Sequence, residues 1–245
     1  MTDRVVVVGA TGGIGAALAR LLAASGIGLH LIGRDPAKLA ALAGELGASF
    51  AAADAMDEAA LAAAIAQAGP RIAGLAYCVG SIVMKPLKRA TGADFVDAFR
   101  LNAVGAALSV AAAQDGLRAA GTGDTPSSVV LFSSVAARAG FPNHAVIGAA
   151  KAAVEGLTVA LAAELAPSVR VNCIAPSLTR TGIAAPLTSN EAMARAIAAQ
   201  HPIPRLGAAA DAAALAMFLL SPAAGWITGQ IMAVDGGRSS VRSKG

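Results

Sequence analysis

Residues 5–15 read Val5-Val6-Val7-Val8-Gly9-Ala10-Thr11-Gly12-Gly13-Ile14-Gly15. Four consecutive β-branched residues favour an extended, buried strand. The glycines that follow suit a tight turn, and the alanine-rich run beginning at residue 13 suits a helix. A strand, a glycine turn and a helix in this order form a cradle for a dinucleotide. Glycine lets the backbone approach a pyrophosphate, and the first turn of the helix offers unpaired N–H groups to the anion. The context carries this reading more than the glycines alone, which could also serve packing. The spacing Gly-x-x-x-Gly-x-Gly differs by one residue from the commoner fingerprint. The expected contacts here are Gly9, Thr11, Gly13, Ile14 and Gly15.

Working outward, apolar runs at 4–8, 28–33, 48–53, 72–79, 127–133, 168–174 and 230–235 alternate with helical stretches at 13–25, 36–46, 57–67, 93–120, 145–166 and 208–220. Continuous apolar strands, each followed by a helix, imply a parallel sheet covered on both faces. The expected fold is therefore α/β: a single-domain, Rossmann-type, doubly wound parallel sheet of about seven strands with helices on both faces. A length of 245 residues fits one such domain over 1–245. Residues 121–128 read as a surface turn. Residues 176–207 carry Pro176, Pro186, Pro202 and Pro204 around a helical piece near 189–200, and are expected to form a lid or substrate loop.

Composition narrows the partners. The net charge is +4, but Lys85, Lys88 and Arg89 form one small group and Arg238, Arg242 and Lys244 another; both are read as solvated surface. With 3% aromatic residues there are few stacking platforms, so no nucleic-acid partner is expected. No apolar run approaches a membrane span without Gly, Pro or a charge interrupting it. No signal peptide is read either, so a cytoplasmic protein without a membrane partner is expected. Cys78 and Cys173 are the only cysteines. They are far apart, lack metal spacing and read as free thiols in a reducing compartment. No metal is expected.

The second strand ends at Gly33-Arg34-Asp35-Pro36. An acid at such a tip would hold a ribose 2′-hydroxyl. Arginine instead pairs with a phosphate, so Arg34 favours NADP(H). Asp35 followed by proline reads as a helix cap. Asp54, after the third strand, is placed against the adenine edge, with a plain loop role as the alternative.

These residues resemble the short-chain dehydrogenase/reductase family, and the likeness runs over almost the whole chain. The Gly9–Gly15 spacing is that family's. Asn102 in Leu-Asn-Ala-Val-Gly matches its helix asparagine, Phe132-Ser133-Ser134-Val135 its serine strand end, with Ser134 the better aligned, and Lys151 its motif lysine. Asn172-Cys173-Ile174-Ala175-Pro176 resembles the segment beside the nicotinamide, and Gly225–Gln230 with Val234–Gly237 the C-terminal strand. The resemblance implies cofactor contacts at Gly80, Lys151, Pro176, Thr179 and Thr181, and an assembly of homodimers or homotetramers, for which the small residues of 145–166 are suited.

Three departures stand out. Tyr77-Cys78-Val79-Gly80 replaces the usual Asn-Asn-Ala-Gly, Ser177 replaces a glycine, and Ile147 occupies the tyrosine position of Tyr-x-x-x-Lys. Tyr77 is the only tyrosine in the chain. Reduction of a carbonyl produces an alkoxide that needs donors and a proton. A phenol, ordinarily near pKa 10, is brought toward working pH by a lysine one helical turn away. Ile147 has neither proton nor dipole. Losing a general acid costs about 10²–10⁴ in rate, or roughly 3–5 kcal/mol. His144, three residues before Ile147, is the candidate replacement acid, against a plain polar role at the helix entrance. Asn143 could orient substrate, while His30 and His201 read as structural, without local partners.

The leading reading is an atypical NADP(H)-dependent short-chain oxidoreductase acting on a small, apolar carbonyl or alcohol, with Ser134, Lys151, Asn102 and His144 as candidate catalytic residues. The alternative is a catalytically weak or inactive NADP(H)-binding sensor or scaffold of the same fold. A lyase-, isomerase- or dehydratase-like activity comes third.

Overall fold

The computed structural model describes residues 3–122 and 124–242; Gly123 and Lys244, named above, lie outside them. The chain runs β1 (Arg4–Val8), α1 (Gly13–Ala24), β2 (Gly28–Gly33), α2 (Pro36–Leu46), β3 (Ser49–Ala52), α3 (Glu58–Ala66), β4 (Ile72–Tyr77), α4 (Gly92–Phe99), α5 (Gly105–Ala120), β5 (Ser127–Phe132) and α6 (Ala145–Leu165). It continues with β6 (Val169–Pro176), β7 (Thr179–Arg180), α7 (Ala185–Thr188), α8 (Glu191–Ala198), β8 (Gly207–Ala208), α9 (Ala209–Leu220) and β9 (Ile231–Val234). Seven strands form one sheet in the order β3-β2-β1-β4-β5-β6-β9, with every pairing parallel. This is the doubly wound arrangement expected from the sequence. Its order reverses beside β1, where the cradle lies.

The valine run shows why the strands read as unbroken apolar stretches. Side chains alternate across a strand, so Val6 and Val8 enter one core with Leu61, Ile65, Leu117 and Leu165. Val5 and Val7 enter the other with Leu18, Leu22, Leu39 and Leu219. Alanine allows α1 and α9 to pack closely, with Ala19, Ala212, Ala213 and Ala216 all buried. Two helical stretches, Gly92–Ala120 and Ala145–Leu165, are long and apolar enough to cross a membrane by length and composition. Both contribute inner faces to the cores, through Val110 and Leu117 on one and Val154 and Leu165 on the other.

Two expectations about elements change. The helix expected over 93–120 is broken by a wider, π-type turn at Arg100–Val104, which periodicity alone does not reveal. The 176–207 segment is built rather than irregular: β7 pairs with β8, and α7 and α8 lie between them. Asn190 caps α8, accepting from Ala192 and Met193 N–H.

Candidate active site

The cradle forms at the C-terminal ends of the central strands. Gly9 and Ala10 both donate to the Ile32 carbonyl, at 2.8 and 3.0 Å, and Cys78 N–H donates to the Val8 carbonyl at 2.8 Å. These bonds fix the turn against β2 and β4. Gly9 has φ +81°, a conformation that side chains avoid, and a Cβ there would lie 3.0 Å from the Cys78–Val79 backbone. A Cβ on Gly15 would collide with the Gly9 carbonyl oxygen, so the first turn of α1 lies against the loop. That turn has no side-chain cap and no acid, leaving its N–H groups for an anion. Thr181 closes over Gly13, where a Cβ would meet its methyl group at 2.7 Å. The backbone geometry therefore fits a pyrophosphate without rearranging the turn.

Arg34 and Asp54 occupy the same sheet edge, beyond β2 and β3, and both are exposed. Arg34 forms no ion pair among the described residues. Asp35 accepts from Ala37 and Lys38 N–H at 3.1 Å each, capping α2. Asp54 accepts from Met56 N–H at 2.9 Å through Oδ1. Thr11 lies beside Gly33, with Oγ1 3.3 Å from where a Cβ would stand.

A cavity of about 270 Å³ adjoins the cradle. Ile14, Gly80, Pro176, Thr179 and Thr181 line it, together with Ser134, Lys151, His144 and Ile147. Helix α6 carries both Ile147 and Lys151, one turn apart on the same face. Ile147 is 4% exposed and Lys151 7%. Lys151 Nζ donates to the Phe132 carbonyl at 2.8 Å. Burial lowers its pKa to about 8, partly offset by Cys173 and Cys78. The ammonium is therefore anchored to the end of β5, immediately before the serines.

Those two serines divide the work. Ser133 points inward, donating to the Lys151 carbonyl at 3.0 Å and to Glu155 Oε1 at 3.1 Å. Arg138 Nε holds the other Glu155 oxygen at 2.6 Å. Ser134 turns toward the cavity while its Oγ accepts from Ala136 N–H at 3.2 Å. Glu155 is thus a brace between β5 and α6 that the sequence reading did not select, although its place one turn beyond Lys151 was visible.

Asn102 sits in the π turn behind Gly80. Its Nδ2 donates to the Ala98 carbonyl at 2.8 Å and to Ser81 Oγ at 3.1 Å. Its buried Oδ1 has no hydrogen-bond partner among the described residues. A Cβ on Gly80 would lie 3.2 Å from that oxygen and 3.1 Å from Lys151 Nζ, so only glycine keeps the space between them open. An orphaned acceptor on Asn102 and the Lys151 ammonium thus flank Gly80, both called from the sequence as candidate catalytic residues.

His144 immediately precedes α6 without capping it through its side chain; it is half-buried, with Nδ1 2.7 Å from the Pro142 carbonyl oxygen and its ring against Phe141. Tyr77 does not line the cavity. It is buried under the π turn, its hydroxyl donating to the Leu101 carbonyl at 2.6 Å, and burial raises its pKa. It cannot replace the phenol missing at 147.

Several sequence readings are corrected. Arg238 is not solvated surface: it is half-buried and lines the cavity. Cys78 is a cavity-wall thiol rather than a core one, pushed up to about 12 by burial, while Cys173 is fully buried. His30 and His201 do have partners. His30 lies between Ser49 Oγ and the Ala64 carbonyl, and His201 between Ser177 Oγ and the Ile197 carbonyl.

With this geometry established, comparison with known proteins is direct. Residues 9–239 match the family described as Enoyl-(Acyl carrier protein) reductase. Galactitol 2-dehydrogenase (L-tagatose-forming) of Cereibacter sphaeroides is 36% identical over 238 residues, spanning 94% of this chain and 92% of that protein. Inactive 2-(S)-hydroxypropyl-CoM dehydrogenase 2 of Xanthobacter autotrophicus is 35% identical over 236 residues, spanning 91% of this chain and 100% of that one. The structure of a gluconate 5-dehydrogenase from Burkholderia cenocepacia, in complex with NADP and tartrate, superposes with a TM-score of 0.89 at 27% identity, covering 98% of this chain and 96% of that one. The matched span runs from the cradle through the serine and lysine of the cavity to the C-terminal strand, and on it the chain belongs to the short-chain dehydrogenase/reductase family of nicotinamide-dependent oxidoreductases.

Proposed function

We propose that this chain is an NADP(H)-dependent oxidoreductase acting on a carbonyl or alcohol, with Ile147 in place of the usual acid. The observation that carries the reading is the convergence of Ser134 and Lys151 on one cavity beside an intact cradle. When bound, the nicotinamide supplies or accepts a hydride. Gly9, Gly13 and Gly15 hold the pyrophosphate, with Thr11 and Ile14 at the turn and Thr181 closing over it. Lys151 and Asn102 hold the ribose hydroxyls, and Gly80, Pro176 and Thr179 form the wall beside the ring. Arg34 holds the 2′-phosphate, since Asp35 is committed to its helix cap. The bound NADP of the gluconate 5-dehydrogenase structure supports the phosphorylated cofactor. Asp54 lies on the adenine side.

Ser134 then donates a hydrogen bond to the substrate oxygen as negative charge develops on it. Ile147 excludes water but gives no proton. Lys151 lines the same cavity as Ser134 and, with a pKa of about 8, is in the range for proton transfer at neutral pH. His144 stands at the same cavity wall, where its Nδ1–H is given to the Pro142 carbonyl and the Nε2 of the neutral ring is left as an acceptor. Relatives differ in named substrate, so none is carried over.

A cofactor-binding protein without turnover is the second reading. Ile147 in the cavity wall favours it, and so does the word inactive in the Xanthobacter relative's name. Titration with NADPH and NADH, alongside cofactor oxidation across a carbonyl panel, separates the two. Tight NADPH binding with measurable turnover supports the enzyme, and binding without turnover on any member supports the second reading. We place this protein in a homodimer or homotetramer, without a nucleic-acid or membrane partner.

A further inference from the structure

Among the described residues the cavity wall contains two cations, Lys151 and Arg238, and no carboxylate. Lys151 is directed to the Phe132 carbonyl. Arg238 follows β9 and is differently placed. Its Nη2 donates to Gln200 Oε1 at 2.6 Å, and its Cζ lies 4.8 Å from the centroid of the Phe141 ring. These contacts fix the guanidinium plane while leaving its other N–H groups without a side-chain acceptor among the described residues.

The nearest acid in sequence is committed elsewhere. Asp235 accepts from Gly237 N–H at 2.9 Å and Ser239 N–H at 2.8 Å, and also from the Ser239 hydroxyl. No carboxylate lies within ion-pair distance of Arg238 among the described residues. A half-buried, oriented guanidinium with spare donors is built to receive an anion. Phe141, Ile183, Leu187 and Ile197 line the same cavity.

We propose that Arg238 is a specificity-determining residue that binds a substrate carboxylate, making the substrate an oxo or hydroxy acid with an apolar body. This rests on the cavity being the substrate chamber of the proposed oxidoreductase. One planar guanidinium matches the single charge and two oxygens of a carboxylate. A phosphate ester would bring a second charge into a wall of Phe141, Leu187 and Ile197 that has no further cation to meet it. The reacting carbon then lies by Ser134 and Lys151, which line the same cavity.

The test is ligand binding to the NADP⁺-loaded protein at pH 7, with matched probes: cyclohexanecarboxylate against cyclohexanecarboxamide, and hexanoate against hexanamide. Calorimetry should show each carboxylate binding at least tenfold more tightly than its amide. Arg238→Gln should reduce that preference to within twofold, Arg238→Lys should retain part of it, and NADP⁺ affinity and melting temperature should stay unchanged in both. Equal affinities in the parent, a preference that survives Arg238→Gln, or binding of neither member of either pair would overturn the assignment while leaving the cofactor reading intact. Failure to bind NADP⁺ or NADPH at all would instead refute the cofactor reading, and this one with it.

Discussion

Ile147→Tyr places a phenol one helical turn before Lys151, on the face of α6 that already lines the cavity. The new ring would enter open space of about 270 Å³ rather than a filled core, so the packing cost should fall near the low end of the roughly 1–3 kcal/mol typical of overpacking. A Lys151 pKa of about 8 leaves roughly nine in ten molecules with an ammonium at pH 7. That charge beside the phenol should lower its pKa and favour proton release to the substrate oxygen. A restored general acid contributes about 10²–10⁴ in rate. The lower end, about 10², is the expectation, because Lys151 is already hydrogen-bonded to the Phe132 carbonyl and is only partly free to assist. The assay is single-turnover NADPH oxidation across aldehydes, ketones and oxo acids, with melting temperature and NADPH affinity measured in parallel. A Tyr variant that folds, binds NADPH like the parent and is no faster on any substrate would refute the argument that one missing side chain limits the chemistry.

Four further outcomes follow from the same geometry. Arg34→Ala should weaken NADPH at least tenfold while changing NADH less than twofold by calorimetry, since only the 2′-phosphate contact is lost. The folded pKa of Lys151 lies below its ordinary 10.5, so burial of the charged form weighs against stability in full below about pH 8, and this penalty is relieved as pH rises from 8 through 10.5. Melting curves over that interval should show a favourable slope that Lys151→Met removes. Cofactor phosphates should pull the proton back, so NADPH binding at pH 8.5 should take up protons in the parent but not in the Met variant. Tyr77→Phe should cost about 1–3 kcal/mol in denaturant unfolding, the scale for stranding a buried carbonyl, here that of Leu101, with NADPH affinity retained. Val96 and Phe99 on α4 and Val159 on α6 are exposed apolar side chains; Phe99→Glu combined with Val159→Glu should lower the mass measured by light scattering if those helices hold the oligomer together.

Most of the sheet was legible because its signals are local and repeated. Four valines in a row can satisfy two cores at once as a buried parallel strand, and the glycines after them gain their meaning from standing between that strand and a helix. Asp35 likewise announced its capping role through the proline beside it. What escaped reading depends on distant packing. The π turn at Arg100–Val104 is held by Tyr77 from β4 and by Asn102 bonding to Ser81, neither of which lies nearby in sequence. Arg238 resembled a tail charge because its position is set by the return of β9 to the sheet and by Gln200 from beyond α8. His201 looked unpartnered in part for the same reason: Ser177 is 24 positions away, although the Ile197 carbonyl is only four. Of the active-site candidates, those carried by helix spacing or strand ends could be named in advance. Arg238, brought to the cavity by distant contacts, could not.

A π turn is equivalent to one extra residue absorbed by an otherwise regular helix. The helix on either side of Arg100–Val104 already presents its inner face to the rest of the fold, Ala98 before the turn and Ala106, Val110 and Leu117 after it. One residue of this stretch is therefore surplus to the architecture. Deleting Ala103 should let α4 and α5 fuse into a single regular helix without rotating either flank. The Asn102 amide, however, would then lose the bulge that turns its unpartnered oxygen toward Gly80 and Lys151. Foldability and competence for the cofactor are here separable by a single codon. A deletion variant that still unfolds cooperatively, less stable by no more than the roughly 1–3 kcal/mol scale of the lost Tyr77 bond, yet no longer binds NADPH would show this irregularity to be maintained for the ligand and not for the scaffold.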